Sequence, residues 1–333
     1  MKRLDLYRRS TLWACSLTIM VACTEPSQTA TTEPSNQPKT QEQASAPQQA
    51  PPSAKAEEVF EFHSYADIET LFETLNYTQE SWDAGIREVP RLFITNIPSR
   101  WRSSSAAEVD VATKKRLFFR LMGPGVLLAN ELIDADRTRL LVLIEAADAT
   151  LSADDSQWLE DLARRYRVEL SSDEAMQELV SRVDNVPPSL PLAQAAEESG
   201  WGTSRFADLG NALFGQWTWS EGIAPLERRE GKGDYSIAKF DTPLDSIRAY
   251  MLNLNSHPAY RELREQRRQT RDRGEQLSGW ELARTLTSYS ERGEAYVESL
   301  HTIMRVNALA ATDSAYLGDA APIYLTPVGE GSQ

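Results

Sequence analysis

Residues 24 to 56 contain no aromatic residue and no Leu, Ile, Val or Met. These thirty-three consecutive positions hold only Pro, Gln, Thr, Ser, Ala, one Asn and a few charges. Ordering a chain costs roughly 1–2 kcal/mol of backbone entropy per residue, and a segment without apolar area has nothing to set against that cost. The stretch from Cys23 to residue 56 is therefore expected to be a disordered tether, reaching about 100 Å when extended at about 3.1 Å per residue. Any folded body must be built from residue 57 onward. A chain of 333 residues still leaves ample length for a buried core.

The residues ahead of the tether read as a targeting signal. Lys2, Arg3, Arg8 and Arg9 precede a mostly apolar run from Leu12 to Ala22. Eleven residues are too few to cross a bilayer of roughly 30 Å as a helix, so residues 1–22 fit a secretory signal better than an anchor helix. The run ends in Met20-Val21-Ala22-Cys23, which resembles a bacterial lipobox and implies that Cys23 is lipidated as the mature N-terminus. A standard signal peptide with an incidental cysteine is the alternative. Cys15 lies inside the signal, so no disulfide is expected in the mature chain. Thr24 rather than Asp follows Cys23, which favours a lipoprotein of the cell envelope at the outer membrane, facing the periplasm.

A net charge of −14 argues against nucleic acid as a partner. Beyond residue 57 the apolar spacing is mostly helical. Ile68, Leu71, Phe72 and Leu75 share a face between Ser64 and Asn76, and Val89 to Pro98 reads as an extended loop. A helix over Lys114–Leu121 is expected to break at Gly123-Pro124-Gly125 and to resume over Val126–Leu143. Ser152 caps a helix bearing Trp158, Leu159, Leu162, Ala163 and Tyr166, and Ser171 or Ser172 caps one bearing Met176, Leu179, Val180 and Val183. Prolines 187, 188 and 191 close this N-terminal helical region (57–185) and open a helix capped by Ser189. In the second region (186–312), Pro225 to Phe240 is predicted to form a β-hairpin that turns at residues 230–234. Further helices follow Thr242 and occupy Trp280–Leu286 and Glu291–Leu309, and the tail (313–333) reads as weakly structured. No βαβ alternation appears. The expected class is mainly α (α+β), a helical domain with a small β-hairpin lobe.

Most rival chemistries lack their residues. His63, His257 and His301 stand far apart without a ligand pattern, which disfavours a metal site or a Ser-His-Asp triad. No glycine-rich phosphate loop follows a strand, so no cofactor is expected. Carboxylates and aromatics remain, which are the equipment of glycoside hydrolysis. They concentrate in Gln194–Gly215, QAAEESGWGTSRFADLGNALFG. Glu198 lies on the last turn of a helix, one turn after Gln194 and beside the face formed by Leu192, Ala195, Ala196 and Ser199. The helix macrodipole disfavours negative charge there, and Glu197 and an apolar Trp201 act in the same direction, so a protonated carboxyl is expected. Gly200 and Gly202 permit a sharp turn, and Trp201 has the flat face needed to stack on a sugar ring. An exposed Glu ahead of a glycine helix stop fits the same pattern, so spacing leaves both readings open.

The segment SLPLAQAAEESGWGTSRFADLGNALFG resembles the glucosaminidase domain of peptidoglycan hydrolases, the family of flagellar muramidases and bacterial autolysins. Within it, the chain is most similar to the bacterial Bax proteins. The likeness extends to RLFFRLMGPGVLLANE (116–131), RAYMLNLNSHPAYRELR (248–264) and YSERGEAYVESLHTIMRVNAL (289–309), and so spans roughly residues 110 to 310. It implies a lysozyme-like fold and cleavage of β-1,4 bonds after N-acetylglucosamine in the wall glycan. Carried over by position, it implies Glu198 as catalytic acid, with Trp201, Asn211, Phe214, Tyr260 and Tyr289 contacting substrate. Glu197 departs from the apolar residue usual before the family's glutamate. The second carboxylate is expected on the hairpin, where Glu227 and Glu230 lead over Glu221 and Asp234, unless the substrate's own acetamido group assists. The resulting expectation is a lipid-anchored endo-β-N-acetylglucosaminidase acting on peptidoglycan strands. A lytic transglycosylase and a non-catalytic wall-binding lipoprotein are the alternatives.

Overall fold

Helices form at nearly every place where the apolar spacing calls for them. A computed structural model of the chain describes residues 57–146, 151–226 and 234–329. Its helices, in chain order, begin with α1 (Tyr65–Thr74), α2 (Gln79–Asp83), α3 (Ala106–Glu108), α4 (Val111–Glu145), α5 (Ala153–Arg165) and α6 (Asp173–Arg182). They continue with α7 (Ser189–Ser199), α8 (Arg205–Gly210), α9 (Pro243–Ser256), α10 (Arg261–Asp272), α11 (Gly279–Ala283) and α12 (Glu294–Val306). Short strands complete the described residues: β1 (Glu58–Phe62), β2 (Glu88–Val89), β3 (Leu92–Ile94), β4 (Trp217–Thr218), β5 (Ser236–Ile237), β6 (Tyr316–Leu317) and β7 (Ile323–Pro327). The class is mainly α with small sheets, as the sequence predicts.

Side-chain caps start the helices where small hydroxyls precede apolar runs. Ser64 and Asp67 form a reciprocal capping box at α1, and Ser152, Ser172, Ser204 and Thr242 cap α5, α6, α8 and α9. Helix α7 differs from expectation. It starts at Ser189 behind Pro188, which offers no side-chain acceptor, and the acceptor comes from elsewhere. Asp313, in the 3₁₀ turn Leu309–Ser314, accepts from the Ser189 amide (2.8 Å), the Ser189 hydroxyl (2.9 Å) and the Gly279 amide (3.0 Å). One carboxylate thus caps α7 and α11 together, although its burial pushes it above its ordinary pKa range.

Four further expectations are corrected by the structure. Gly123-Pro124-Gly125 does not break α4, which runs continuously for 35 residues with all three positions buried. Proline inside a helix costs about 3 kcal/mol through a lost hydrogen bond and a steric clash. The helix packs closely on α9 here: a Cβ on Gly125 would sit 3.2 Å from Ile247. The stretch 89–98 is more than a loop, since β3 pairs with β7, and the tail is more than a weakly structured end, since β7 is the middle strand of a parallel sheet ordered β1-β7-β3. Its partners lie more than 200 residues away, so no local pattern announces the pairing. The small lobe is antiparallel as predicted, but among the described residues β5 pairs with β4 (Trp217↔Ile237) and with Ile223, both ahead of the predicted Pro225–Phe240 hairpin. Residues 230–233 of the predicted turn at 230–234 lie outside the described residues.

Helix α10 was not anticipated. Its RELREQRRQTRD sequence is charged at eight of twelve positions, yet Leu263, Arg264 and Arg267 are buried. Arg267 is fully enclosed and donates to the carbonyls of Asp184, Asn185 and Ser181 and to Asn255 Oδ1. The buried Asp184 carboxylate also receives Arg271 at 2.8 Å (Nε) and 2.6 Å. Burial pushes Asp184 up, but Arg267, Arg271 and Arg137 pull it further down, to a net value below its ordinary range.

Asp184→Ala strands a buried guanidinium and is expected to cost about 3–5 kcal/mol in urea unfolding. Because the folded-state pKa is lowered, the stabilisation from Asp184 is present at neutral pH and is lost as pH falls through the folded value. Asp184→Asn should therefore flatten the acid limb of a stability–pH profile. Deleting residues 316–333 removes β7 from between β1 and β3, and should abolish a single cooperative thermal transition followed by circular dichroism.

Candidate active site

Helix α7 is buried along residues 189–196 and surfaces only at its C-terminal end, where Glu197 and Glu198 become half-buried. The helix stops because Gly200 takes a left-handed conformation (φ +56°) and returns its amide to the Ala196 carbonyl, as does Trp201 at 3.0 Å. Trp201 and Gly202 also carry positive φ, +61° and +77°. A non-glycine residue held there costs roughly 1–2 kcal/mol. Ser199 braces the turn: its hydroxyl donates to the Ala195 carbonyl (2.5 Å) and accepts from the Gly202 amide (2.9 Å).

The two glutamates face different surroundings. Glu197 pairs with Arg292 at 2.6 Å on the outer side. Glu198 instead acts on four tyrosines, Tyr250 from α9, Tyr260 from the 3₁₀ turn Pro258–Tyr260, Tyr289 ahead of α12, and Tyr296 on α12. Tyr296 also hydrogen-bonds to Glu198. Burial comes first in pushing each phenol above its ordinary range, and the negative charge of Glu198 adds to it. The phenols therefore stay neutral and can serve the carboxylate as donors. Ring stacking makes them rigid: Tyr289 stacks on Tyr296 at 5.4 Å, and Phe214 stacks on Tyr250 at 3.9 Å.

The other predicted positions divide by what holds them. Tyr260 and Tyr289 lie in the tyrosine cluster with Glu198, and their rings approach to 6.0 Å. Phe214 is buried beneath it, with its carbonyl 3.4 Å from the Tyr289 hydroxyl. Asn211 has its side chain committed to backbone. Its Oδ1 accepts from the Ile97 amide (2.9 Å), and its Nδ2 donates to the carbonyls of Phe240 (3.2 Å) and Asp241 (3.0 Å). The Trp201 ring packs edge-on against Phe118 (5.8 Å) and Phe119 (5.1 Å) of α4, with Lys115 Nζ 4.9 Å from its centroid. Its carbonyl accepts from the Trp101 indole at 3.0 Å. Glu227, Glu230 and Cys23 lie outside the described residues. Among the described residues, no group of three or more His, Cys, Asp or Glu side chains gathers as a metal site.

Three residues of the site were not singled out from sequence: Gln194, Tyr250 and Tyr296. A signal for the first was present, since a glutamine between alanines on a buried helical face, one turn before Glu198, needs polar partners inside the fold. Tyr250 and Tyr296 sit at positions where an aromatic equally fits the core. Chemically, the arrangement offers one half-buried carboxyl, walled by neutral hydroxyls and aromatic faces, that can give or take a proton.

Comparison with known proteins covers the part of the chain that carries this site. Residues 174–316 match the glucosaminidase family model, described as mannosyl-glycoprotein endo-beta-N-acetylglucosaminidase. The chain is 32% identical over 197 residues to the protein bax of Escherichia coli (strain K12), covering 58% of this chain and 70% of that one. No solved structure matches. The matched region contains Glu198 and all four tyrosines around it, and points to a peptidoglycan-related hydrolase of the glycosidase class. The chain belongs to the Bax-like proteins that carry a glucosaminidase domain.

Proposed function

We propose that the protein is an endo-β-N-acetylglucosaminidase that cleaves the β-1,4 bonds of peptidoglycan strands, with Glu198 as general acid. The observation that carries this reading is the position of Glu198, at the end of a buried helix and among four neutral phenols, within the matched glucosaminidase region. In the proposed reaction, Glu198 protonates the leaving oxygen as the glycosidic bond breaks. A second group then stabilises the oxocarbenium-like centre or activates water. Glu227 or Glu230 is the proposed partner, with the substrate's 2-acetamido group as the substitute if neither serves. Rings of Tyr260 and Tyr289 offer apolar faces beside the cleaved bond.

Digestion of purified sacculi by wild type and Glu198→Gln tests the assignment. Loss of a positioned general acid is expected to slow muropeptide release by about 10²–10⁴-fold, and equal release by both proteins would sink it. Mass analysis of the ends distinguishes chemistries: reducing N-acetylglucosamine ends are expected, whereas anhydro-muramic ends would mark a lytic transglycosylase. Tight sacculus binding without turnover by either protein would mark a binder.

We also propose that Cys23 carries a lipid anchor at the outer membrane and that the tether carries the folded body toward the wall. In membrane fractionation, the wild type should band with outer membrane and Cys23→Ser should leave it. Retention of the variant would refute the anchor.

A further inference from the structure

Gln194 is 0% exposed, in the middle of α7 and flanked by Ala193, Ala195 and Ala196. A buried amide must find partners inside the protein, and both ends of this one do. Its Oε1 accepts from the Tyr250 hydroxyl, and its Nε2 donates to the Tyr296 hydroxyl oxygen at 2.9 Å. Each bond settles the next. Tyr250 spends its one proton on Oε1, which fixes the orientation of the amide. Nε2 therefore faces Tyr296 and uses the phenol oxygen as acceptor. The Tyr296 proton is then left for its other partner, Glu198.

We propose that Gln194 is a positioning residue for Glu198: a one-way chain from Tyr250 through Gln194 to Tyr296 aims a hydroxyl proton at the Glu198 carboxylate. The chain holds the orientation of that carboxyl and sets the pH at which it loses its proton. This inference rests on reading Glu198 as the general acid. Spacing by four residues places Gln194 and Glu198 on one side of α7, so a single tyrosine from α12 reaches both. The groups facing Glu198 are Tyr250, Tyr260, Tyr289 and Tyr296 from the surrounding elements, Arg292 ahead of α12, and Glu197 on its own helix. Arg292 and Glu197 pair with each other at 2.6 Å. A hydrogen bond donated to the ionised form favours that form, so the Tyr296 hydroxyl keeps the Glu198 pKa lower than it would otherwise be. Removing the donor, or the amide that aims it, must raise that pKa.

The test uses Tyr296→Phe, which keeps the ring that stacks on Tyr289, and Gln194→Leu, which keeps the volume of the amide. In the pH profile of kcat/KM on sacculi, both variants should move the basic limb upward by about one pH unit. At the wild-type optimum, kcat should fall about tenfold while KM stays within about threefold. A merely structural role would lower activity at every pH and leave the limb in place. The Glu198 carboxyl resonance in ¹³C-labelled protein, identified by its absence from Glu198→Gln, should titrate higher in both variants by the same shift. If Gln194→Leu does not fold, Tyr296→Phe alone decides. An unmoved limb together with an unmoved resonance overturns the inference. Full turnover by Glu198→Gln would overturn the general-acid reading instead, and the carboxyl titration would still report on the hydrogen-bond chain.

Discussion

Burial of α7 over its first eight residues is the constraint from which much else follows. A helix enclosed by α4, α11, α12 and the 309–314 turn cannot leave polar atoms to water, so each must be satisfied by protein. The orphan amide at its start goes to Asp313, from a turn more than a hundred residues downstream. The amide side chain at its middle goes to Tyr250 and Tyr296. Its end is closed by Ser199 and by three successive residues at positive φ. Each solution is also a tie between distant parts of the chain. The helix that carries Glu198 is therefore fixed at its start, middle and end before any substrate arrives, which is the preorganisation that proton donation in a cleft requires.

Much of this was legible in the sequence where a local pattern sufficed. Ser64, Ser152 and Thr242 announce helix starts because a cap needs only residues three apart, and Gly200 announces a helix stop because its backbone must turn left-handed. Glu198 was legible as a candidate for the same local reason. What could not be read depends on partners far off in sequence. β7 is a strand because β1 and β3 flank it. Asp313 is a cap because α7 begins beside it. Arg267 belongs to the core because Asp184 meets it there, against the rule that a run of charges lies on a solvated face. Helix α10 shows how far such a partner can override composition, since its buried positions are two arginines and one leucine.

Proline at 124 makes the same point from the other direction. Local rules place a break at Gly123-Pro124-Gly125, and by those rules the glycines only deepen it. In the fold, Gly125 lies where α4 comes close to α9, since a Cβ there would sit 3.2 Å from Ile247, while Gly123 faces the Tyr77 hydroxyl. The uninterrupted α4 then reaches from the β-sheet region to the Gly-Trp-Gly turn.

That reach gives the N-terminal region a part in the site. Trp201 is held at φ +61°, a strain of roughly 1–2 kcal/mol, and something must compensate for it. Edge-on contacts with Phe118 and Phe119 contribute about 0.5–1.5 kcal/mol each, and the Trp101 indole adds a hydrogen bond to the Trp201 carbonyl. Their sum is of the same order as the strain, so residues 101–119 help Ser199 hold the turn in its left-handed path. Asn211 strengthens the same link, because its carbonyl oxygen accepts the Ile97 amide while its NH₂ holds Phe240 and Asp241. Residues 97–119 thus contribute to the core, hold Trp201 through Trp101, Phe118 and Phe119, and tie Asn211 through Ile97. A chain cut free at residue 186 would keep its glutamate but lose the contacts that shape the backbone after it.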